Sequence, residues 1–112
     1  MKKIEAIVRP EKVEDIIEAL EALGHSGITI TQVEGHGRQK GIVEQFRGKE
    51  YKLLFIPKVK IEVVIKNDLV EKAIEAIVTT AWTGSVGDGK IFINPVEDAV
   101  RVRTKDRGES AI

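Results

Sequence analysis

The chain has no cysteine and only two histidines, His25 and His36. That excludes a disulfide framework and any Cys-based metal site, and it leaves too few imidazoles for a structural zinc. Nor is there an excess of either charge. Lysine plus arginine and aspartate plus glutamate both total 18, so the balance gives no pull toward nucleic acid or a membrane surface. Any anion site has to be built locally. Long hydrophobic runs are missing too: "MKKIEAIVRPEK" carries a charge every few residues, and no stretch approaches the roughly 20 apolar residues of a membrane span. The expected location is the cytoplasm. At 112 residues the chain is expected to be one domain, 1–112, long enough for a single core and short enough to gain from partner subunits.

What is present is periodic. Residues 1–8 alternate as a strand and lead to Pro10, which suits the first turn of a helix. In "EKVEDIIEALEALG", Val13, Ile16, Ile17, Leu20 and Leu23 recur at helical spacing, with Gly24 as the natural stop. "GITITQVEG" reads as a second strand, and "KVKIEVVI" as a third with Val59, Ile61, Val63 and Ile65 on one face. Asn67 and Asp68 are placed to cap a second helix, "LVEKAIEAIVTTA", whose apolar positions are Val70, Ile74, Ile77, Val78 and Ala81. "KIFINPV" is a fourth strand, followed by a C-terminal segment at about 96–112. "VEDIIEAL" and "VEKAIEAI" match at five of eight positions, each after a strand. The order βαββαβ predicts an α+β fold, a ferredoxin-like sandwich of two βαβ halves.

One segment is too long for a hairpin connection. Between the two middle strands, "GRQKGIVEQFRGKEYKLLF" spans 37–55, where hairpin loops usually take about 2–5 residues. Its Arg38, Lys40, Arg47, Lys49 and Lys52, interleaved with Ile42, Phe46 and Tyr51, have the character of a protein-contact surface. The alternative is a plain extension of the two strands into a long hairpin.

"TGSVGDGK" at 83–90 has the outline of a phosphate-binding P-loop. A nucleotide-hydrolysing P-loop requires Ser or Thr after the lysine to hold magnesium, and a helix starting at the phosphates. Here Ile91 follows Lys90, a helix precedes the loop and a strand follows it, so it is not a Walker motif. Gly84, Gly87 and Gly89 still free the backbone to present successive N–H groups to an anion, with Lys90 as a point charge. Two further features suit a polyphosphate. In "VRVRT", strand alternation sends Arg101 and Arg103 to one side and Val100 and Val102 to the other; alone, this could equally be a charged sheet edge. "GHGRQKG" offers glycines at 35, 37 and 41 for close backbone approach, with Arg38, Gln39 and Lys40 as polar contacts.

In this order on a βαββαβ chain, "GRQKG", "FRGKEY", "TGSVGDGKIF" and "VRVRT" resemble the PII nitrogen-regulatory signalling proteins over essentially the whole chain. The resemblance implies a homotrimer with an ATP or ADP site in each cleft between subunits. Gly87, Asp88, Gly89 and Lys90, with Arg101 and Arg103, would then contact phosphates, while Gly35, Gly37 and Arg38 approach from the base of the long loop. Ile7 and Val64 would lie near base and ribose. Gln39 would ligate Mg2+ between the ATP phosphates and 2-oxoglutarate, with Lys40, Gly41 and Gly87 also near that second ligand. Lys58 would pair with its distal carboxylate, an attraction of roughly 4 kcal/mol at about 4 Å and an effective dielectric near 20, before desolvation.

No covalent chemistry is implied. Ligands would shift the conformation of 37–55 and so the choice of partner, an ammonium transporter or other nitrogen-metabolism protein. The family implies Tyr51 as a site of uridylylation in some members and Arg47 as the residue that enters a transporter channel; membrane contact would come only through such a partner. Departures from the family pattern are Lys49 and Phe46 in the long loop, Trp82 beside the glycine loop, and "TKDRGE" where "TGERGE" is usual. Two rival functions stand beside this one. One is a weak nucleotide hydrolase using Asp88 or Glu50 as base, though the chain offers no Ser-His-Asp set. The other is a nucleotide-free trimer on the same scaffold, like the divalent-cation-tolerance proteins.

Overall fold

The structure is a computed structural model that describes residues 1–37, 44–46, 49–51 and 54–112. Alternation along β1 (Lys2–Val8) places Ile4, Ala6 and Val8 on one face, where all three are buried. The same parity along β5 (Leu54–Ile65) buries Val59, Ile61, Val63 and Ile65. Antiparallel register brings these rows together: Ala6 lies opposite Ile61 on one side and Ile91 on the other. β2 (Ile28–Gly37) pairs with β5, and β6 (Gly89–Pro95) with β1, giving the sheet order β2-β5-β1-β6. The two strands that open the βαβ halves, β1 and β5, are therefore central, as the ferredoxin-like topology requires.

Both helices cover the apolar face. A 3₁₀ turn at Pro10–Lys12 leads into α1 (Val13–Ala22), and another at Asn67–Leu69 leads into α2 (Val70–Ala81), so the internal echo extends to the helix starts. α1 contributes Ile16 and Leu20 to the core, and α2 contributes Val70, Ala73, Ile77 and Ala81. Fully burying an aliphatic chain of this size contributes about 1.5–3 kcal/mol. α1 closes at Gly24, whose N–H donates to the Glu21 carbonyl at 2.9 Å, while the His25 N–H reaches the Leu20 carbonyl at 3.0 Å. Val78 is on the outer side of α2 and about half exposed, whereas Ala73 takes the core position.

Three expectations need correcting. Asn67 and Asp68 make no side-chain cap; the chain turns there through main-chain bonding, with the Leu69 N–H on the Lys66 carbonyl at 3.0 Å. "VRVRT" is not a strand. Val100 forms a single bridge with Arg107, and the chain then turns back through 102–104. The turn is closed by the Lys105 N–H on the Arg101 carbonyl (2.8 Å) and the Arg101 N–H on the Asp106 carbonyl (2.9 Å), so period-two alternation is lost. Third, the middle strands run further than predicted, staying paired to Gly37↔Leu54. Within the segment read as a long loop, β3 (Glu44–Phe46) and β4 (Lys49–Tyr51) pair with each other, Glu44 opposite Tyr51.

The other face of the sheet points away from both helices. It carries Lys3, Glu5 and Ile7 from β1, Lys58, Lys60, Glu62 and Val64 from β5, and Lys90 and Phe92 from β6. Glu5 and Glu62 stand directly opposite, and each is answered along its own strand, by Lys3 at 3.1 Å and Lys60 at 3.2 Å. No helix of the described residues is long and apolar enough to cross a membrane.

Candidate functional site

The antiparallel register collects one set of cationic groups at one end of this sheet. Val8 at the end of β1 is opposite both Val59 of β5 and Gly89 of β6. Arg9, Lys58 and the loop at 83–88 therefore converge. α2 ends at Ala81, Trp82 is extended, and the chain returns to β6 through the glycine loop, with positive φ at Gly84, Gly87 and Gly89. At Gly89 the requirement for glycine is absolute by geometry: φ is +118°, and a Cβ there would lie 2.0 Å from the Ile7 carbonyl oxygen.

Asp88 holds the loop together. Its carboxylate accepts from the Thr83 hydroxyl, from the main-chain N–H of Thr83 (2.7 Å) and Gly84 (2.9 Å), and from Arg9 Nε (3.3 Å). These donors, the Thr83 hydroxyl foremost, hold the Asp88 carboxyl far below the usual carboxylate range, against a smaller opposing effect of burial. It is ionised at any physiological pH and is a poor proton acceptor. Arg9 also donates from Nη2 to the Val86 carbonyl at 3.0 Å, and Lys58 Nζ donates to the Gly87 carbonyl. A Cβ on Gly87 would meet Arg9 Nη2 at 3.2 Å and Lys58 Nζ at 3.6 Å, so both cations face the same point above the loop. Lys90, exposed and opposite Ile7, extends the positive surface along β6. Arg9, Lys58 and Lys90 against the one internally satisfied Asp88 carboxylate make a surface suited to a polyanion.

The remaining sequence-predicted residues fall into two groups. Gly35 sits in this first group, on β2 beside β5, where a Cβ would press on Lys58 Cγ at 3.3 Å. Ile7 is half-buried on the open face, and Gly37 ends β2. Val64 and Arg101 belong to the other end of the sheet. They line a cleft of about 660 Å3, part polar and part apolar, together with Lys3, Glu62 and Lys66. Arg101 approaches Asp106 at 3.8 Å, and Arg103 is exposed in the turn that follows. Lys58 and Val64 are six positions apart along β5, about 20 Å at ~3.3 Å per residue. Within one chain, then, the glycine loop and Arg101 are not brought together. Arg38, Gln39, Lys40, Gly41 and Arg47 lie outside the described residues, and Tyr51 is the last residue of β4.

Two residues escaped the sequence reading. Arg9 is 79 positions from Asp88, a separation no periodicity reports. Thr83 was within reach, because a threonine and an aspartate bracketing four loop residues are typical partners for side-chain-to-backbone turns.

The family model of the Nitrogen regulatory protein P-II matches residues 1–106. Among curated relatives, the "Nitrogen regulatory protein P-II" of Azospirillum brasilense is 57% identical over 112 residues, covering all of both chains. That of Cereibacter sphaeroides is 55% identical with the same coverage. The "Nitrogen regulatory protein P-II 2" of Methanothermobacter thermautotrophicus is 50% identical over all of this chain and 97% of its own. With a family model over nearly its whole length and full-length relatives at half identity or more, the chain belongs to the nitrogen regulatory protein P-II family.

Proposed function

We propose that this protein reports nitrogen and energy status by binding ATP or ADP in a cleft between two copies of the chain, and 2-oxoglutarate with Mg-ATP beside it. The observation that carries this reading is the split of the cationic groups. The loop with Lys58, Lys90 and Arg9 is at one end of the open sheet face, and Arg101 with Val64 is at the other, about 20 Å away. Phosphates that touch both sets need the second set from a neighbouring copy. Three copies arranged head to tail close such a contact into a ring, which agrees with the homotrimer expected of the family.

The loop N–H groups and Lys90 would receive the phosphates, and the neighbour's Arg101 and Arg103 would close over them. Lys58, already aimed at Gly87, would answer the distal carboxylate of 2-oxoglutarate, with Gln39, Lys40 and Gly41 completing that end and Gln39 holding Mg2+. Bound Mg2+ supplies charge neutralisation between the phosphates and the second ligand. Gly35 and Gly37 lead directly into 38–53, so occupancy is positioned to bias that segment and the partner it meets. An ammonium transporter or another nitrogen-metabolism protein is the partner proposed, with Arg47 at the contact, Tyr51 as a modification site and the cytoplasm as the location. Regulation without turnover is favoured over hydrolysis, because the Asp88 carboxylate is occupied by four donors and held far below the pKa of a useful base.

Subunit mixing tests the shared site. Lys90→Ala and the pair Arg101→Ala with Arg103→Ala should each lose ATP binding as pure assemblies. When the two proteins are unfolded and refolded together, clefts that draw both intact halves should reappear and binding should return in part. Retention of full affinity in either pure variant, or no recovery on mixing, would contradict the proposal.

A further inference from the structure

An anion-receiving loop that contains a carboxylate poses a problem, and the arrangement around Thr83 resolves it. Asp88 Oδ1 is engaged by the Thr83 hydroxyl and Arg9 Nε, and Oδ2 by the main-chain N–H groups of Thr83 and Gly84. Thr83 thus provides two of the four donors. Its hydroxyl oxygen also accepts the Ser85 N–H at 3.2 Å, so one side chain fastens the start, middle and end of the loop. A threonine hydroxyl has a single proton, and here it is spent on Asp88. Thr83 has no donor left for a ligand.

We propose that Thr83 is a positioning residue: it turns the Asp88 carboxylate into the loop, which fixes the path of 84–89 and keeps that negative charge away from the anion the loop receives. The inference rests on the nucleotide reading above and deepens it. The only tryptophan of the chain reports on the same loop, since a Cβ on Gly84 would lie 3.1 Å from the Trp82 ring. Thr83 and Trp82 are both exposed, so substitution of Thr83 leaves the core untouched.

The test compares Thr83→Ser, Thr83→Val and the double variant Thr83→Val with Asp88→Asn, using calorimetric titration with Mg-ATP and Trp82 emission without ligand. Losing a hydrogen bond to a charged group should cost Thr83→Val about 10-fold or more in affinity and shift Trp82 emission. Thr83→Ser, which keeps the hydroxyl, should stay close to the parent protein. The double variant should bind better than Thr83→Val alone, because the released charge is gone, a recovery that loss of loop order by itself would not give. Parent-like affinity in Thr83→Val, equal weakening by serine and valine, or a double variant weaker than Thr83→Val would each overturn the role of Thr83. Failure of the parent protein to bind Mg-ATP would instead overturn the nucleotide reading, and this inference with it.

Discussion

Replacing Gly89 with alanine should be the most damaging single-methyl change in the loop. The new Cβ would sit 2.0 Å from the Ile7 carbonyl oxygen, 3.1 Å from the Ile7 carbonyl carbon and 3.2 Å from Val8 Cα. All three are main-chain atoms of the central strand β1, paired with β6 at Val8↔Gly89, so no side-chain rotation relieves the clash. A φ of +118° adds strain of about 1–3 kcal/mol for a residue with a Cβ, and overpacking against unyielding atoms adds roughly 1–3 kcal/mol. Against a typical stability of ~5–15 kcal/mol, a combined loss of about 2–6 kcal/mol is severe. With a urea dependence of about 2 kcal/mol per molar, the unfolding midpoint should fall by roughly 1–3 M. Trp82 emission and circular dichroism follow the transition, compared at one protein concentration because an assembling chain draws stability from mass action. Gly84→Ala is the internal control: at φ +87° it carries comparable backbone strain, but its Cβ would meet only the exposed Trp82 ring, at 3.1 Å, which can swing away, so its midpoint should fall less than that of Gly89→Ala. Equal midpoints for Gly89→Ala and the parent protein would refute the reasoning.

Three further outcomes follow from the same contacts. Because the folded Asp88 carboxyl is held below its ordinary value, its contribution is complete above the unfolded carboxylate pKa near 4 and is lost as pH falls through the folded value; the melting-temperature gap between the parent protein and Asp88→Asn should be constant from pH 7 to 5 and narrow below 4. A gap that stays constant to pH 2.5 would show that the charge is not what the donors stabilise. Lys105 is the only described non-glycine residue with positive φ (+64°); Lys105→Gly exchanges left-handed strain of about 1–2 kcal/mol for a smaller entropy cost of ~0.5–1 kcal/mol. Thermal melting should rise by up to a few degrees, and a fall would contradict the strain. Lys58→Met should abolish the effect of 2-oxoglutarate on ATP affinity in calorimetry, whereas a retained effect would remove Lys58 from the second site.

The fold was legible wherever burial repeats at a fixed period. Val59, Ile61, Val63 and Ile65 all lie under the helices, because on a strand with one face covered a slip of one residue would expose the whole row. Helix existence was legible for the same reason, but not the helix starts: the Asn67 and Asp68 side chains are not used, since two 3₁₀ turns already satisfy the first main-chain groups. "VRVRT" misled because alternation states where side chains would point if the segment were extended, and says nothing of whether a neighbouring strand is available to bond it. The glycine loop was legible as a tight turn from its residue types, and Gly84, Gly87 and Gly89 all take positive φ. What fixes its shape was not, because the bond from Arg9 to Asp88 exists only once β1 and β6 are side by side. The separation of Arg101 from the loop likewise belongs to the register and not to the motif.

The central claim is that one chain supplies half of a site that senses two small molecules together. Calorimetric titration of Mg-ATP with and without 2-oxoglutarate, and of 2-oxoglutarate with and without Mg-ATP, tests it most directly. The account predicts that each ligand tightens the other by the same factor, as linkage between two equilibria requires. Mg-ATP binding that is indifferent to 2-oxoglutarate would contradict the role given to Lys58 and the second site, and absence of binding by either ligand would contradict the account as a whole.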